Sequence, residues 1–143
     1  MVNMVIKAVP AIQDLAWCVG QSGCYAIALY SIAEDITGVE VDVLKTTKFM
    51  IDQGLIDYNW KRPKAYPNAM YIKNADEVLR LLGCEGWYVN KQKELPENYE
   101  GYYIIRYTLN GKTHFVRPEY DSMTDNPLVK NGRVSAVYLI QKR

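Results

Sequence analysis

The amino-acid sequence predicts an α+β fold, in which N-terminal helices are followed by an antiparallel β-sheet. Apolar residues recur at helical spacing from Cys24 to Ile36, and two later segments that end before Gly83 show the same period. After Gly83 the pattern changes to short runs of the kind that form strands. The pair Asn110-Gly111 separates two of these runs and is a strong hairpin signal. Helices and strands that are segregated along the chain are typical of the α+β class.

The first predicted helix begins at Cys24 and follows a loop at residues 11–23 that is rich in glycine and polar residues at its end. Its apolar and small residues recur at helical spacing, and Thr37-Gly38 supplies the stop. Because this helix is apolar on nearly every side, we expect it to be buried at the centre of the domain.

Two further helices are predicted by their periodicity and by their end signals. The second covers about residues 41–53 and is followed by Gly54, and the third covers about residues 74–82 and is followed by Gly83. Asn74 is the expected N-cap of the third helix, because its side chain can accept a hydrogen bond from the first turn.

The rest of the chain is predicted as loops and strands. The stretch 58–68 contains prolines between its aromatic residues and is expected to form a surface loop. Within this stretch Trp60 and Tyr66 are candidates both for lining a cleft and for packing in the core. Strands are expected, in an antiparallel meander, at residues 87–90, 102–109, 112–116 and 133–141.

Length and composition define the class of protein. The 143 residues suit one compact domain spanning residues 1–143, and 49% hydrophobic with 23% charged residues is ordinary globular composition. The net charge is +1 and no long basic cluster is present, so no nucleic-acid partner is expected. No segment approaches the roughly 20 apolar residues of a membrane span. The sequence does not predict the oligomeric state.

The cysteine and histidine counts argue against a metal site or a cofactor. Three cysteines without a Cys-x-x-Cys spacing and one histidine do not form an ordinary zinc set. The first ten residues lack a sustained apolar core and a cleavage site, so we expect synthesis in the cytoplasm without a signal peptide. Action at the cell wall would then need a separate release mechanism.

Cys24 is the candidate nucleophile. The N-terminus of a helix carries about half a positive charge and exposes backbone N–H groups. Both favour a thiolate, and the same N–H groups can stabilise an oxyanion in acyl transfer. Gly23 permits a sharp entry into the helix. Cys18 lies in the predicted loop and Cys84 follows the Gly83 helix end, so both are expected to be structural.

His114 is the candidate general base, since a cysteine nucleophile needs a group that takes its proton and later protonates the leaving amine. It lies in the run Thr113-His114-Phe115-Val116. Strand alternation places His114 and Val116 on one face and Phe115 on the other.

Asp121 is the candidate third residue. If Arg117-Pro118 forms a two-residue turn, His114 lies opposite Asp121, whose carboxylate could orient the imidazole. Asp125 and Asn126 are the alternatives.

The oxyanion is expected to be held by the backbone N–H of Cys24 and the side chain of Gln21, with Gln13 as the alternative.

The segments GCYAIALYSIAEDITG, HFV and YDSMTDNPLVKNGRV resemble the papain-like superfamily, and in particular the small C39-like cysteine peptidases encoded by phages and prophages. The resemblance covers about a third of the chain. It implies a papain-like fold, a Cys24–His114–Asp121 triad and hydrolysis of an amide bond in peptidoglycan peptides, as in a phage lysin. Two alternatives stay open: an inactive binding module on the same fold, and a peptidase that processes protein tails.

Overall fold

The computed structural model describes residues 12–61, 64–118 and 127–143. In chain order its elements are α1 (Ile12–Ser22), α2 (Cys24–Thr37), α3 (Val43–Asp52), β1 (Ile56–Lys61), β2 (Lys64–Ile72), α4 (Ala75–Leu81), β3 (Trp87–Gln92), β4 (Tyr102–Leu109), β5 (Lys112–Val116), α5 (Pro127–Asn131) and β6 (Arg133–Lys142). The predicted α+β class, with N-terminal helices that precede a larger antiparallel sheet, is confirmed.

The predicted loop at residues 11–23 is wrong, because α1 occupies nearly all of it. Leu15, Cys18 and Val19 recur at helical spacing and are buried, so they form the inner stripe of this helix. The polar and glycine residues that suggested a loop lie at the end of α1, where they interrupt the apolar period. Cys18 is therefore a residue of a buried helix face.

Helix α2 has the predicted boundaries and position. It begins at Cys24 and ends at Thr37, and Gly38 adopts a left-handed conformation with φ of 73°. Its buried residues are Ala26, Ala28, Leu29, Tyr30, Ile32 and Ala33. They form the middle of a core to which α1, α3, α4 and both sheets contribute.

Helices α3 and α4 begin with side-chain caps. Asp42 accepts a hydrogen bond from the Lys45 N–H at 3.0 Å, and Asn74 accepts one from the Glu77 N–H at 3.1 Å. The cap predicted at Asn74 is confirmed. Each cap satisfies one backbone N–H that the first helical turn leaves without a partner inside the helix.

A sharp bend separates α1 from α2. No single helix among the described residues is long and apolar enough to cross a membrane, and only Ile12–Gly20 and Cys24–Thr37 taken together reach that length and composition, across an angle of 89°. Gly23 stands at the bend. Its N–H donates to the Val19 carbonyl at 2.8 Å, and a Cβ atom on it would lie 2.6 Å from the Val19 oxygen.

Gly23→Ala is expected to destabilise the protein by about 1–2 kcal/mol, because the added methyl group forces two packed backbone segments apart. Urea unfolding measures this loss. Gly20→Ala is the matched control, since a Cβ atom at Gly20 meets nothing within 4 Å and alanine favours the helix. Equal stability of the two variants would contradict the prediction, because it would mean that the backbone accommodates a methyl group at Gly23 without loss of free energy.

The surface loop predicted at residues 58–68 is wrong. Strands β1 and β2 pair antiparallel here in a two-stranded sheet, with Ile56 opposite Ile72 and Lys61 opposite Lys64. In such a ribbon each strand has an outer side, so a proline such as Pro67 need not remove a ladder hydrogen bond. Ile56, Met70 and Ile72 are buried and give the ribbon its inner face.

The larger sheet has the order β3-β6-β4-β5 and is antiparallel. The predicted hairpin between β4 and β5 is confirmed, since Asn110 and Gly111 both have positive φ. The predicted meander is wrong in one respect: β6 lies between β3 and β4. Its residues Ala136 to Ile140 are all buried, and a strand that is apolar on both faces gains most from a central position.

Candidate active site

Cys24 is the most accessible of the three thiols, none of which forms a disulfide. Cys18 and Cys84 are buried, and burial raises the pKa of Cys18 to about 11 and also raises the pKa of Cys84. A thiol reacts as its thiolate, so neither buried cysteine is suited to attack a substrate near neutral pH. The structural roles predicted for them agree with this.

The start of α2 gives positive polarity to the surroundings of Cys24. Gly23 occupies the N-cap position, and no side-chain hydrogen bond closes the first turn. The partial positive charge of a helix start is therefore not offset by a capping carboxylate here. The 89° bend turns α1 away from the axis of α2, so the preceding helix does not continue over this end.

Strand β5 is fixed against α2 at two points. The ring of Phe115 stacks on the ring of Tyr25, with centroids 4.5 Å apart and planes inclined by 14°. Arg117, just after the strand, donates to Ser31 Oγ at 2.8 Å and to Asp35 Oδ2 at 2.5 Å. Its side chain is 4% exposed, so this ion pair is a buried anchor between the strand and the helix.

These two anchors set the direction of β5. Ser31 lies about 9 Å beyond Tyr25 along the helix axis, at 1.5 Å per residue. Because Phe115 lies beside Tyr25 and Arg117 reaches Ser31, the strand runs in the same direction as α2. His114 precedes Phe115, so its backbone lies level with the start of the helix, where Cys24 stands.

The imidazole of His114 lies on the opposite face of the sheet from Phe115. His114 is in register with Tyr107, whereas Phe115 is in register with Arg106 and packs on the core that contains α2. The His114 Nε2 atom is shielded from solvent. Since β5 is the edge strand of the described sheet, the route from this face to the helix side that avoids crossing the sheet passes around β5.

The remaining predicted residues are placed only in part. Gln21 lies in the last turn of α1, three residues before Cys24 and not in a loop, and Gln13 is exposed near the start of the same helix. Trp60 and Tyr66 belong to β1 and β2. The predicted third residue and its alternatives, Asp121, Asp125 and Asn126, lie outside the described residues.

Sequence reasoning missed a polar cluster around Arg106 on the core-facing side of the sheet. The Arg106 guanidinium donates to Ser135 Oγ at 2.9 Å, to the Ser135 carbonyl at 3.4 Å and to the Tyr138 hydroxyl at 3.2 Å. Thr108 donates to the same Ser135 oxygen at 2.7 Å. The only sequence signal was a charged residue in an otherwise apolar and aromatic strand.

An aromatic cluster connects the Arg106 group to the start of α2. The Tyr138 ring lies 5.3 Å from the Tyr25 ring and 5.7 Å from the Phe115 ring, measured between centroids. Burial raises the pKa of Tyr25, and the nearby Tyr138 adds to this effect. The cluster is thus uncharged at neutral pH; it includes Tyr25, the residue after Cys24, and its Tyr138 hydroxyl accepts from Arg106.

Comparisons with protein-family models, with curated proteins and with solved structures gave no match to this chain. Within the described ranges no group of three or more His, Cys, Asp or Glu residues is placed to hold a metal ion.

Proposed function

We propose that this protein is a cysteine hydrolase of amide bonds, with Cys24 as nucleophile and His114 as general base. One observation carries the proposal: the accessible thiol is the first residue of the buried helix α2, and the strand that holds the only histidine of the chain is anchored beside that helix start. A helix start favours the thiolate that such chemistry needs.

The proposed reaction has two halves. The Cys24 thiolate attacks the carbonyl carbon, and the protonated His114 gives its proton to the leaving amine as the C–N bond breaks. Water then attacks the thioester while His114 takes a proton, which releases the acid and restores the thiol. Backbone N–H groups at the start of α2 would hold the oxyanion. In this scheme Asp121 orients His114, as the family resemblance implies, and the neutral amide of Gln21 adds a second oxyanion donor.

We propose peptidoglycan peptides as the substrate on the basis of the same resemblance, which places the protein with phage lysins. Processing of protein tails is the competing substrate class. Incubation with purified peptidoglycan separates the two, because release of new amino groups from the wall is expected of a lysin only.

A second candidate function is a binding module without catalysis. The observation that favours it is the position of His114, whose imidazole faces away from the sheet side that packs on α2. Such a module would bind its ligand without an activated thiol.

Selective alkylation of the native protein distinguishes these two functions. We expect iodoacetamide at pH 7 to modify Cys24 at least about tenfold faster than Cys18 or Cys84, and we expect His114→Ala to lower the Cys24 rate, because an activated thiol depends on its base whereas a merely accessible one does not. Mass spectrometry of the digested protein gives the three rates. Equal and slow modification of all three thiols would contradict the hydrolase and favour the binding module.

A further inference from the structure

Arg106 carries a charge that no carboxylate of the described residues compensates. Its three hydrogen bonds go to a hydroxyl and a carbonyl of Ser135 and to the Tyr138 hydroxyl. Burial raises the pKa of Tyr138 although Arg106 opposes the shift, so at neutral pH this partner is a neutral phenol. A guanidinium has five N–H donors, and these bonds account for three of them. Among the described residues nothing occupies the other two donors, which are left for a ligand.

Lys91 brings a second positive charge to Tyr138, the residue that Arg106 also contacts. It lies opposite Tyr138 in the register of β3 and β6, and its Nζ atom is 5.8 Å from the centroid of the Tyr138 ring. Lys91 is exposed, and Arg106 is half-buried. Neither side chain forms an ion pair within the described part of the chain. Asp76, whose charge adds to the rise in the pKa of Tyr25, accepts a hydrogen bond from the Val89 N–H at 2.8 Å.

The two cations both contact Tyr138, which packs on the first turn of α2. Tyr25 follows Cys24 directly and packs on Tyr138, whose hydroxyl accepts the hydrogen bond from Arg106. Because β5 runs in the same direction as α2, the sheet residues before Phe115 extend past the first residue of the helix. Arg106 is paired with Phe115, which stacks on Tyr25 in the first turn of α2, and its side chain is half-buried and not enclosed.

We propose that Arg106 and Lys91 form a carboxylate-binding subsite, so that the ligand cleaved or held at Cys24 is a peptide with a carboxylate a few residues from the reacting carbonyl. A half-buried guanidinium with spare donors binds carboxylates through charge-assisted hydrogen bonds, and a second cation on the same aromatic residue adds to the attraction. The description of this ligand as a substrate rests on the proposed function, but its charge does not.

Three matched alkylating peptides test the subsite through the rate at which they label Cys24. They are iodoacetyl-Ala-Glu-amide with a side-chain carboxylate, iodoacetyl-Ala-Ala with a C-terminal carboxylate, and the neutral iodoacetyl-Ala-Ala-amide. Each rate is divided by the rate with a free small thiol, which removes differences in intrinsic reactivity. We expect at least one carboxylate reagent to label Cys24 about tenfold faster than the neutral one, in line with one charge-assisted hydrogen-bonded pair. The faster of the two identifies which kind of carboxylate fits.

Variants assign the preference to its residues. Arg106→Gln is expected to remove the preference and Lys91→Gln to reduce it, while Arg143→Gln, at the far end of β6, should retain it. Since Lys91 is exposed, its variant tests the subsite even if Arg106→Gln fails to fold. Equal normalised rates for all three reagents in the native protein would overturn the subsite. Slow labelling by all three with the preference intact would instead overturn the hydrolase and leave the subsite standing.

Discussion

His114→Ala is expected to lower the rate of amide hydrolysis by about 100-fold or more while the protein stays folded. General acid–base catalysis contributes roughly 10²–10⁴-fold, and His114 is the only histidine that could take the Cys24 proton. The same substitution should slow the alkylation of Cys24 at pH 7, because it removes the proposed base and leaves only the helix start to favour the thiolate. The two measurements are amine release from the wall and the rate of carboxamidomethylation.

Lys112→Ala is the matched control for His114→Ala, because Lys112 is an exposed residue on the same face of β5. It should leave both rates unchanged. If His114→Ala alters neither rate, the imidazole stays on the sheet face opposite α2 in the working protein and takes no part in the chemistry of Cys24. In that case the dyad is refuted and the binding module becomes the better description.

Asp35→Ala is expected to cost about 2–3 kcal/mol of unfolding free energy. The substitution removes a carboxylate that compensates the Arg117 guanidinium, which is 4% exposed, and breaking a buried ion pair from one side costs about 3–5 kcal/mol. The lower figure applies because the Asp35 side chain is 35% exposed and water screens part of the interaction. Urea unfolding at neutral pH gives the difference.

A double-mutant cycle shows whether this cost belongs to the ion pair. In an Arg117→Met background, Asp35→Ala should cost less than about 1 kcal/mol, because no buried charge is left to compensate. Glu77→Ala, which removes one partner of the exposed ion pair with Arg80, should leave stability unchanged. An equal loss from Asp35→Ala in both backgrounds would mean that Asp35 stabilises the protein without Arg117.

The parts of the fold that the sequence predicted correctly are those specified by local signals. Helix α2 has a continuous apolar period and a left-handed glycine at its end, and α4 has a capping asparagine. The hairpin between β4 and β5 needs two positive φ angles, which Asn110 and Gly111 adopt readily. Each of these features is decided by residues within a few positions of one another, so a single sequence suffices to find them.

The errors concern features that depend on distant parts of the chain. Helix α1 and the ribbon of β1 and β2 contain helix-breaking or strand-breaking residues and form because α1, with Leu15 buried on its inner side, packs against β2. The central position of β6 follows from its burial on both faces, which is a property of the assembled sheet. Local propensity gives way to tertiary packing in each case.

The candidate site was predictable to the same extent. The position of Cys24 at a helix start is a local feature, and it was predicted. The anchor of Arg117 to Asp35 and the cluster around Arg106 join residues far apart in the chain, and nothing in the local pattern marks them. The side on which the His114 imidazole lies relative to α2 is decided by which sheet face packs on the helix, which alternation within the strand does not specify.

The central place of β6 also sets the order in which the molecule can be assembled during synthesis. Within the described sheet β3 pairs only with β6, and β4 has β6 as its second neighbour. Trp87 of β3 therefore has no strand partner until Lys142, near the end of the chain, has been synthesised. Pairing between segments so far apart makes formation of the sheet slow. Until β6 has left the ribosome, the nascent chain contains the β4–β5 hairpin and an unpaired β3. Tyr138 of β6 is then not yet in place against Tyr25, the residue after Cys24.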